Sequence, residues 1–276
     1  YDIIFAGQLN NIDNLSQEIT VMKENFPFRK IILPSGVCIY ANKHVQDRLA
    51  DPLRHQKPLL FVHGMWSDAS VFQHWLQQAE DMGIPAYAID LRGHGNSNAS
   101  VLAQSGVMDY VQDVLEAITY IGRECILIGH SMGALISQLV AHKHGWVKKL
   151  ILVTSAPPAG IPLRGPILAR IWKYMPSIIL QKPFVMTVKD LREIAFNEGF
   201  SRDDQDTYMN QLVPESGKAA SDISFWKLWV SPIGRCSTLV IGGGKDKLTP
   251  LSIQRAIAHK HAARYEVIPG ACHMIQ

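Results

Sequence analysis

The chain has 276 residues, of which 47% are hydrophobic and 18% charged, with a formal net charge of +3. That balance supplies ample material for a buried core and argues against a disordered or solvating chain. No lysine- or arginine-rich run marks a nucleic-acid footprint, and no apolar stretch reaches the length that spans a bilayer.

Chain order gives the organisation. Ile12, Leu15, Ile19 and Met22 are spaced 3, 4 and 3 apart, which predicts an amphipathic helix within an N-terminal extension, residues 1–27. Phe28 to Leu33 and Val37 to Ala41 flank Pro34-Ser35-Gly36 and predict a hairpin. Pro58 to Val62 predicts a buried strand. Phe72, Trp75, Leu76 and Ala79 predict a helix ending near Gly83. Ile84 to Ile89 predicts the next strand, and Met108, Val111, Leu115 and Ile118 the next helix. Cys125 to Ile128 reads as a strand and Ala134 to His144 as a helix. Lys149 to Val153 and Ser237 to Ile241 read as strands, followed by a helix over Ser252 to His261 and a strand over Arg264 to Ile268.

Strands alternating with helices, and apolar on both faces, predict an α/β fold. Its mostly parallel central sheet would be covered by helices on each side. The alternation fails between about Pro157 and Pro232, where no convincing strand appears. That segment is rich in large apolar residues, among them Trp172, Tyr174, Phe184, Met186, Phe196, Tyr208, Trp226 and Trp229. It reads as a helical subdomain with its own core, or as a lid lining an apolar pocket. The core is expected in two parts, 28–156 and 233–276.

The chemistry centres on Gly129-His130-Ser131-Met132-Gly133, between an apolar strand and a helix. G-x-S-x-G in that context is a nucleophile elbow, in which the glycines give clearance and the serine hydroxyl is held out at the sheet's carboxyl edge. A serine hydroxyl needs a base to take its proton. Of eleven histidines, His273 is chosen because its loop directly follows the last strand, at the same edge. His130 is beside the serine, but on a tight elbow its side chain points elsewhere. His142 and His144, like His259 and His261, lie two apart on helices and do not face each other, so they read as solvated surface rather than a metal site. The base needs an acid to fix its tautomer. Asp246, in Gly242-Gly243-Gly244-Lys245-Asp246, follows the preceding strand. No phosphate loop is read there, because Asp246 stands where G-x-x-x-x-G-K-[ST] requires Ser or Thr.

With His63-Gly64-Met65-Trp66 and Asp90-Leu91-Arg92-Gly93-His94-Gly95, these motifs resemble the α/β-hydrolase superfamily in order and spacing, from Phe28 onward. The likeness extends loosely to esterases and monoacylglycerol-lipase-like enzymes. The resemblance implies a Ser131–His273–Asp246 triad and an oxyanion hole from the backbone N–H groups of Met65 and Met132. It implies that Asp90, Arg92 and His94 shape a loop, and that 157–232 is a helical cap. No cofactor and no metal are expected. Two departures stand out: Cys272 occupies a place where glycine is common, and the helix that usually follows the histidine is not within this sequence.

Serine, rather than aspartate, at the elbow points to acyl transfer. The expected substrate is a small-molecule ester or thioester with an apolar acyl group, with no nucleic-acid partner. Three readings stay open: an ester hydrolase, a thioesterase or acyltransferase with the same triad, and a non-catalytic ligand receptor on this fold. The four cysteines Cys38, Cys125, Cys236 and Cys272 are widely spaced and form no C-x-x-C. A disulfide scaffold is therefore not expected, and the expected compartment is the cytoplasm.

Overall fold

The computed structural model describes residues 26–45, 56–163, 170–197, 199–225 and 227–275. The helix expected over Ile12 to Met22 lies outside the described residues, as does Trp226. Eight strands form one sheet: β1 Arg29–Ile32, β2 Cys38–Ala41, β3 Leu59–Val62, β4 Ala86–Asp90, β5 Cys125–His130, β6 Val147–Val153, β7 Ser237–Gly243 and β8 Arg264–Ile268. Their order is β1-β2-β4-β3-β5-β6-β7-β8. The expected hairpin, β1 with β2, is antiparallel, and so is the β2–β4 pair; every pair from β4–β3 to β7–β8 is parallel.

The strand period of two sorts each central strand between two cores. Leu60, Val62, Cys125 and Leu127 face a cluster with the helices α2 Val107–Ile121, α3 Met132–Lys143 and α8 Leu251–Lys260. Phe61 and Ile128 face the opposite cluster, which holds Phe72 and Leu76 and hence the helix α1 Gln73–Asp81. The sheet is thus covered on both faces, as expected.

Boundaries differ in two instructive places. β7 runs two residues beyond the expected Ile241, because Gly242 and Gly243 pair with Val267 and Ile268 of β8. A Cβ on Gly243 would meet the Cys272 carbonyl at 2.3 Å, so the bare glycine lets the histidine loop pack on the strand end. A short 3₁₀ helix over Ala69–Phe72, capped by Asp68, precedes α1 and had no signal in the apolar spacing.

Between β6 and β7 the described residues form the helices α4 Met175–Ile179, α5 Val188–Ala195, α6 Arg202–Asn210 and α7 Gly217–Ser224. The strand content there is one isolated bridge, Phe184 to Glu215. A third apolar cluster joins this segment to the core, with Met186, Leu191, Phe196 and Met209 against Trp66, Cys272 and Met274. Trp172, Phe225 and Trp229 do not join it: they are exposed.

Candidate active site

The parallel topology brings the carboxyl ends of β3, β5, β6, β7 and β8 to one edge, so the residues just beyond them are neighbours. Ser131, the residue after β5, has φ 54° and ψ −117°. A non-glycine residue there is strained, and surrounding contacts hold it. Its N–H donates to the Val153 carbonyl at 3.0 Å, and its own carbonyl accepts from Ala156 N–H at 3.0 Å. The flanking glycines have distinct jobs. A Cβ on Gly129 would come 2.4 Å from the Gly133 carbonyl oxygen, inside the elbow. A Cβ on Gly133 would come 2.2 Å from the Val62 carbonyl oxygen, so α3 starts hard against the end of β3.

Asp246 and His273 meet after β7 and β8. The His273 Nδ1 lies 2.9 Å from Asp246 Oδ2. The Asp246 carboxylate also accepts from Leu248 N–H at 2.8 Å, Thr249 N–H at 2.9 Å and the Thr249 hydroxyl at 2.8 Å. Burial alone would raise this carboxyl's pKa, but the neighbouring imidazole and the Thr249 donors outweigh it and hold the carboxyl below its ordinary value. An ionised Asp246 draws the neutral imidazole's proton to Nδ1, which leaves Nε2 as the basic nitrogen.

Ser131, His273, Met65 and Met132 line one cavity. Among the described residues the His273 imidazole is hydrogen-bonded to Asp246 and not to Ser131. Catalytic hydrogen bonds are often long before substrate binds. Met132 opens α3, where the first N–H groups have no acceptor in the helix. A Cβ on Gly64 would touch the Ser131 Cβ at 3.0 Å, which shows how closely the His63-Gly64-Met65 turn passes the elbow.

Several residues around the site carried no sequence signal. His130 Nε2 lies 3.1 Å from the His273 carbonyl oxygen, to which it donates. Burial, then the adjacent His273, pushes the His130 pKa down to about 3, so it stays neutral. Thr154, with φ 43°, donates from its hydroxyl to the same carbonyl at 3.1 Å. Thr249 bridges the loops of Asp246 and Thr154: its backbone N–H donates to Asp246, and its hydroxyl, with one proton to give, lies 2.8 Å from Asp246 Oδ2 and 3.0 Å from the Thr154 carbonyl oxygen. These contacts tie the carboxyl ends of four strands, β5 to β8, together.

Trp66 follows Met65 with φ 60°, a conformation that costs a bulky residue on the order of 1 kcal/mol. Its ring lines the cavity and meets Phe184 edge-on at 5.7 Å, and its buried indole N–H has no acceptor among the described residues.

The structural reading of Asp90, Arg92 and His94 fits their contacts. Asp90 accepts from Ala69 and Asn96 N–H groups at 2.8 and 2.7 Å, and Arg92 forks onto Asp113. His94 Nε2 lies 3.2 Å from Glu215, which also accepts from the Tyr110 hydroxyl at 2.9 Å. His261 requires a correction: it is buried, not solvated surface. At the end of α8 its Nδ1 accepts from Ile233 N–H at 3.3 Å and its Nε2 lies 2.9 Å from Gln138 Oε1. His142 and His259 are exposed as expected.

The rest of the cavity wall is mostly apolar and comes largely from the β6–β7 segment, including Ile171, Ile178, Phe184, Met186 and Leu191, with Tyr174, Tyr208, Ser224 and Thr249 among its polar members. Among the described residues, no helix is long and apolar enough to cross a membrane.

The sequence profile of the alpha/beta hydrolase family matches residues 59–276. The chain is 25% identical over 229 residues to a putative esterase/lipase of Mycoplasma pneumoniae, covering 80% of this chain and 84% of that one. It is 26% identical over 249 residues to an alpha/beta hydrolase superfamily protein of Bacillus subtilis, covering 86% and 91%. Among solved structures, an esterase from Exiguobacterium antarcticum superposes with a TM-score of 0.68 at 23% identity, covering 89% of this chain and 92% of that one. At that identity the likeness is one of fold.

Proposed function

The chain belongs to the alpha/beta hydrolase family, and from that premise we propose that it hydrolyses carboxylic esters of apolar acyl groups through an acyl-enzyme on Ser131. The observation that carries this reading is the shared cavity: Ser131 and an Asp246-bound His273 open onto one apolar chamber. His273 Nε2 takes the hydroxyl proton as Ser131 Oγ attacks the ester carbonyl. The oxyanion that forms is held by the N–H groups of Met65 and Met132, each worth about 3 kcal/mol of barrier where such donors have been removed. His273 returns the proton to the leaving alcohol, then activates water to release the acid. In this reading residues 157–232 act as the cap, whose apolar side chains hold the acyl chain and exclude water. The esterase and lipase names of the relatives agree with it.

Turnover of p-nitrophenyl esters, followed in the wild type and in Ser131→Ala, tests the proposal. Wild-type turnover lost in the variant is the expected result, and equal turnover in both chains contradicts it. The same assay with an acyl-CoA, or with added alcohol acceptors, decides against ester hydrolysis if either is preferred over water and simple esters.

A further inference from the structure

The stretch from Trp172 to Lys189 has two sides of opposite use. On one side Tyr174, Ile178, Phe184 and Met186 line the cavity that holds Ser131. On the other side Trp172, Ile179, Leu180, Val185 and Val188 are exposed; Trp172 keeps 76% of its surface and Leu180 63%. Single exposed apolar residues are ordinary, but five within eighteen positions are not. The same stretch contains Lys173, Lys182 and Lys189, all exposed, and no aspartate or glutamate. The next two acids face inward or are paired: Asp190 is buried against Lys173 and Tyr174, and Glu193 pairs with Arg170.

We propose that this face docks on an anionic phospholipid surface, with Trp172, Ile179 and Leu180 entering the headgroup layer and Lys182 and Lys189 meeting lipid phosphates. Exposed apolar side chains interspersed with cations, on an element too short to span a bilayer, have the chemistry of an interfacial anchor. A second copy docked through the same face would set lysine against lysine, which disfavours self-association. The position gives the contact a purpose. The residues that touch lipid and those that line the cavity alternate along one short stretch, so an apolar substrate leaving the bilayer meets the chamber wall. The inference rests on the proposed esterase reading for that purpose alone, not for the binding.

The test uses the Ser131→Ala chain, so that no lipid is consumed, in flotation with phosphatidylcholine vesicles and with mixed phosphatidylcholine–phosphatidylglycerol vesicles. Binding to the mixed vesicles, weak binding to phosphatidylcholine alone, and loosening by salt are expected. Lys182→Glu and Lys189→Glu should each weaken binding by roughly fivefold or more. Trp172→Ala with Leu180→Asp should abolish it. In the Ser131 background the same pair should leave hydrolysis of a soluble short ester within about twofold of wild type, which separates docking from misfolding. No partition onto either vesicle, equal binding to both, or binding unchanged by the substitutions overturns the proposal. So does sedimentation showing a dimer that the Leu180→Asp variant dissolves. Vesicle binding by a chain that hydrolyses no ester would overturn the esterase reading and leave the docking face intact.

Discussion

His273 Nδ1 and Asp246 Oδ2 stand 2.9 Å apart although 27 positions separate them in sequence, and three further donors converge on the same carboxylate. The carboxylate is therefore pinned, as its proposed role of orienting the imidazole requires. Asp246→Asn keeps the shape but presents an amide N–H or a neutral oxygen to Nδ1. The imidazole is then free to take the tautomer with its proton on Nε2, the nitrogen that must be basic. We expect kcat to fall by about 10³- to 10⁴-fold with KM little changed. Steady-state kinetics on a soluble ester check this, and a loss under tenfold would transfer the acid's role to another carboxylate.

The elbow glycines give a prediction of stability. Gly133→Ala places a methyl group 2.2 Å from a backbone carbonyl oxygen that cannot move without unpairing β3. The cost is about 1–3 kcal/mol or more, with loss of activity as the elbow shifts. Gly145→Ala, where a Cβ meets nothing within 4 Å, is the control and should be close to neutral. Thermal unfolding of both variants measures the difference. Equal midpoints would mean that the elbow is not packed as described.

Buried neutral histidines make stability depend on pH. Burial, then Lys260, pushes the His261 pKa from its ordinary 6.5 down to about 4. The folded state therefore stays unprotonated at this site while the unfolded chain takes up a proton. The contribution of this site is full above pH 6.5 and is lost as pH falls toward 4, at up to about 1.4 kcal/mol per pH unit. His130 acts in the same direction over a range that starts at the same 6.5 and extends further down, to about pH 3. His94, whose pKa is raised by the Glu215 carboxylate against the effect of burial, opposes them. Replacing His261 with Gln should flatten the decline of the unfolding midpoint between pH 6.5 and 4; an unchanged slope would mean that His261 is not the group responsible.

Acyl chain length reads the cavity. Each substrate methylene buried against Ile171, Ile178 or Leu191 adds about 0.8 kcal/mol, or roughly fourfold in kcat/KM, until the chamber is full. A p-nitrophenyl ester series from acetate to decanoate should rise and then level. A flat series, or a steady fall beyond acetate, would place the acyl chain outside the chamber.

The sheet and its site were largely legible because both rest on local patterns. The apolar runs at Leu59–Val62 and Cys125–Ile128 can only be strands buried on two faces. Once strand order follows the βα alternation, Ser131, Asp246 and His273 must share an edge. The supporting residues were not legible, because their roles depend on contacts between distant segments. Glu215 finds His94 and Tyr110 across more than a hundred positions. Thr154 finds His273 through a strained backbone that no spacing announces. His261 sits at a helix end, where periodicity cannot tell an outward side chain from one turned back to Gln138. In the β6–β7 segment, aromatic density predicted apolar contact but not which side chains face the chamber and which face outward, as Trp172 and Trp229 do.

The central claim is that Ser131 is the acylated nucleophile. The most direct measurement is mass spectrometry of the protein after reaction with an organophosphonate ester, with the adduct located by peptide mapping. A single adduct on the peptide carrying Gly129 to Gly133, absent in Ser131→Ala, is the predicted result. An adduct on another serine, or labelling that persists in the variant, would contradict it.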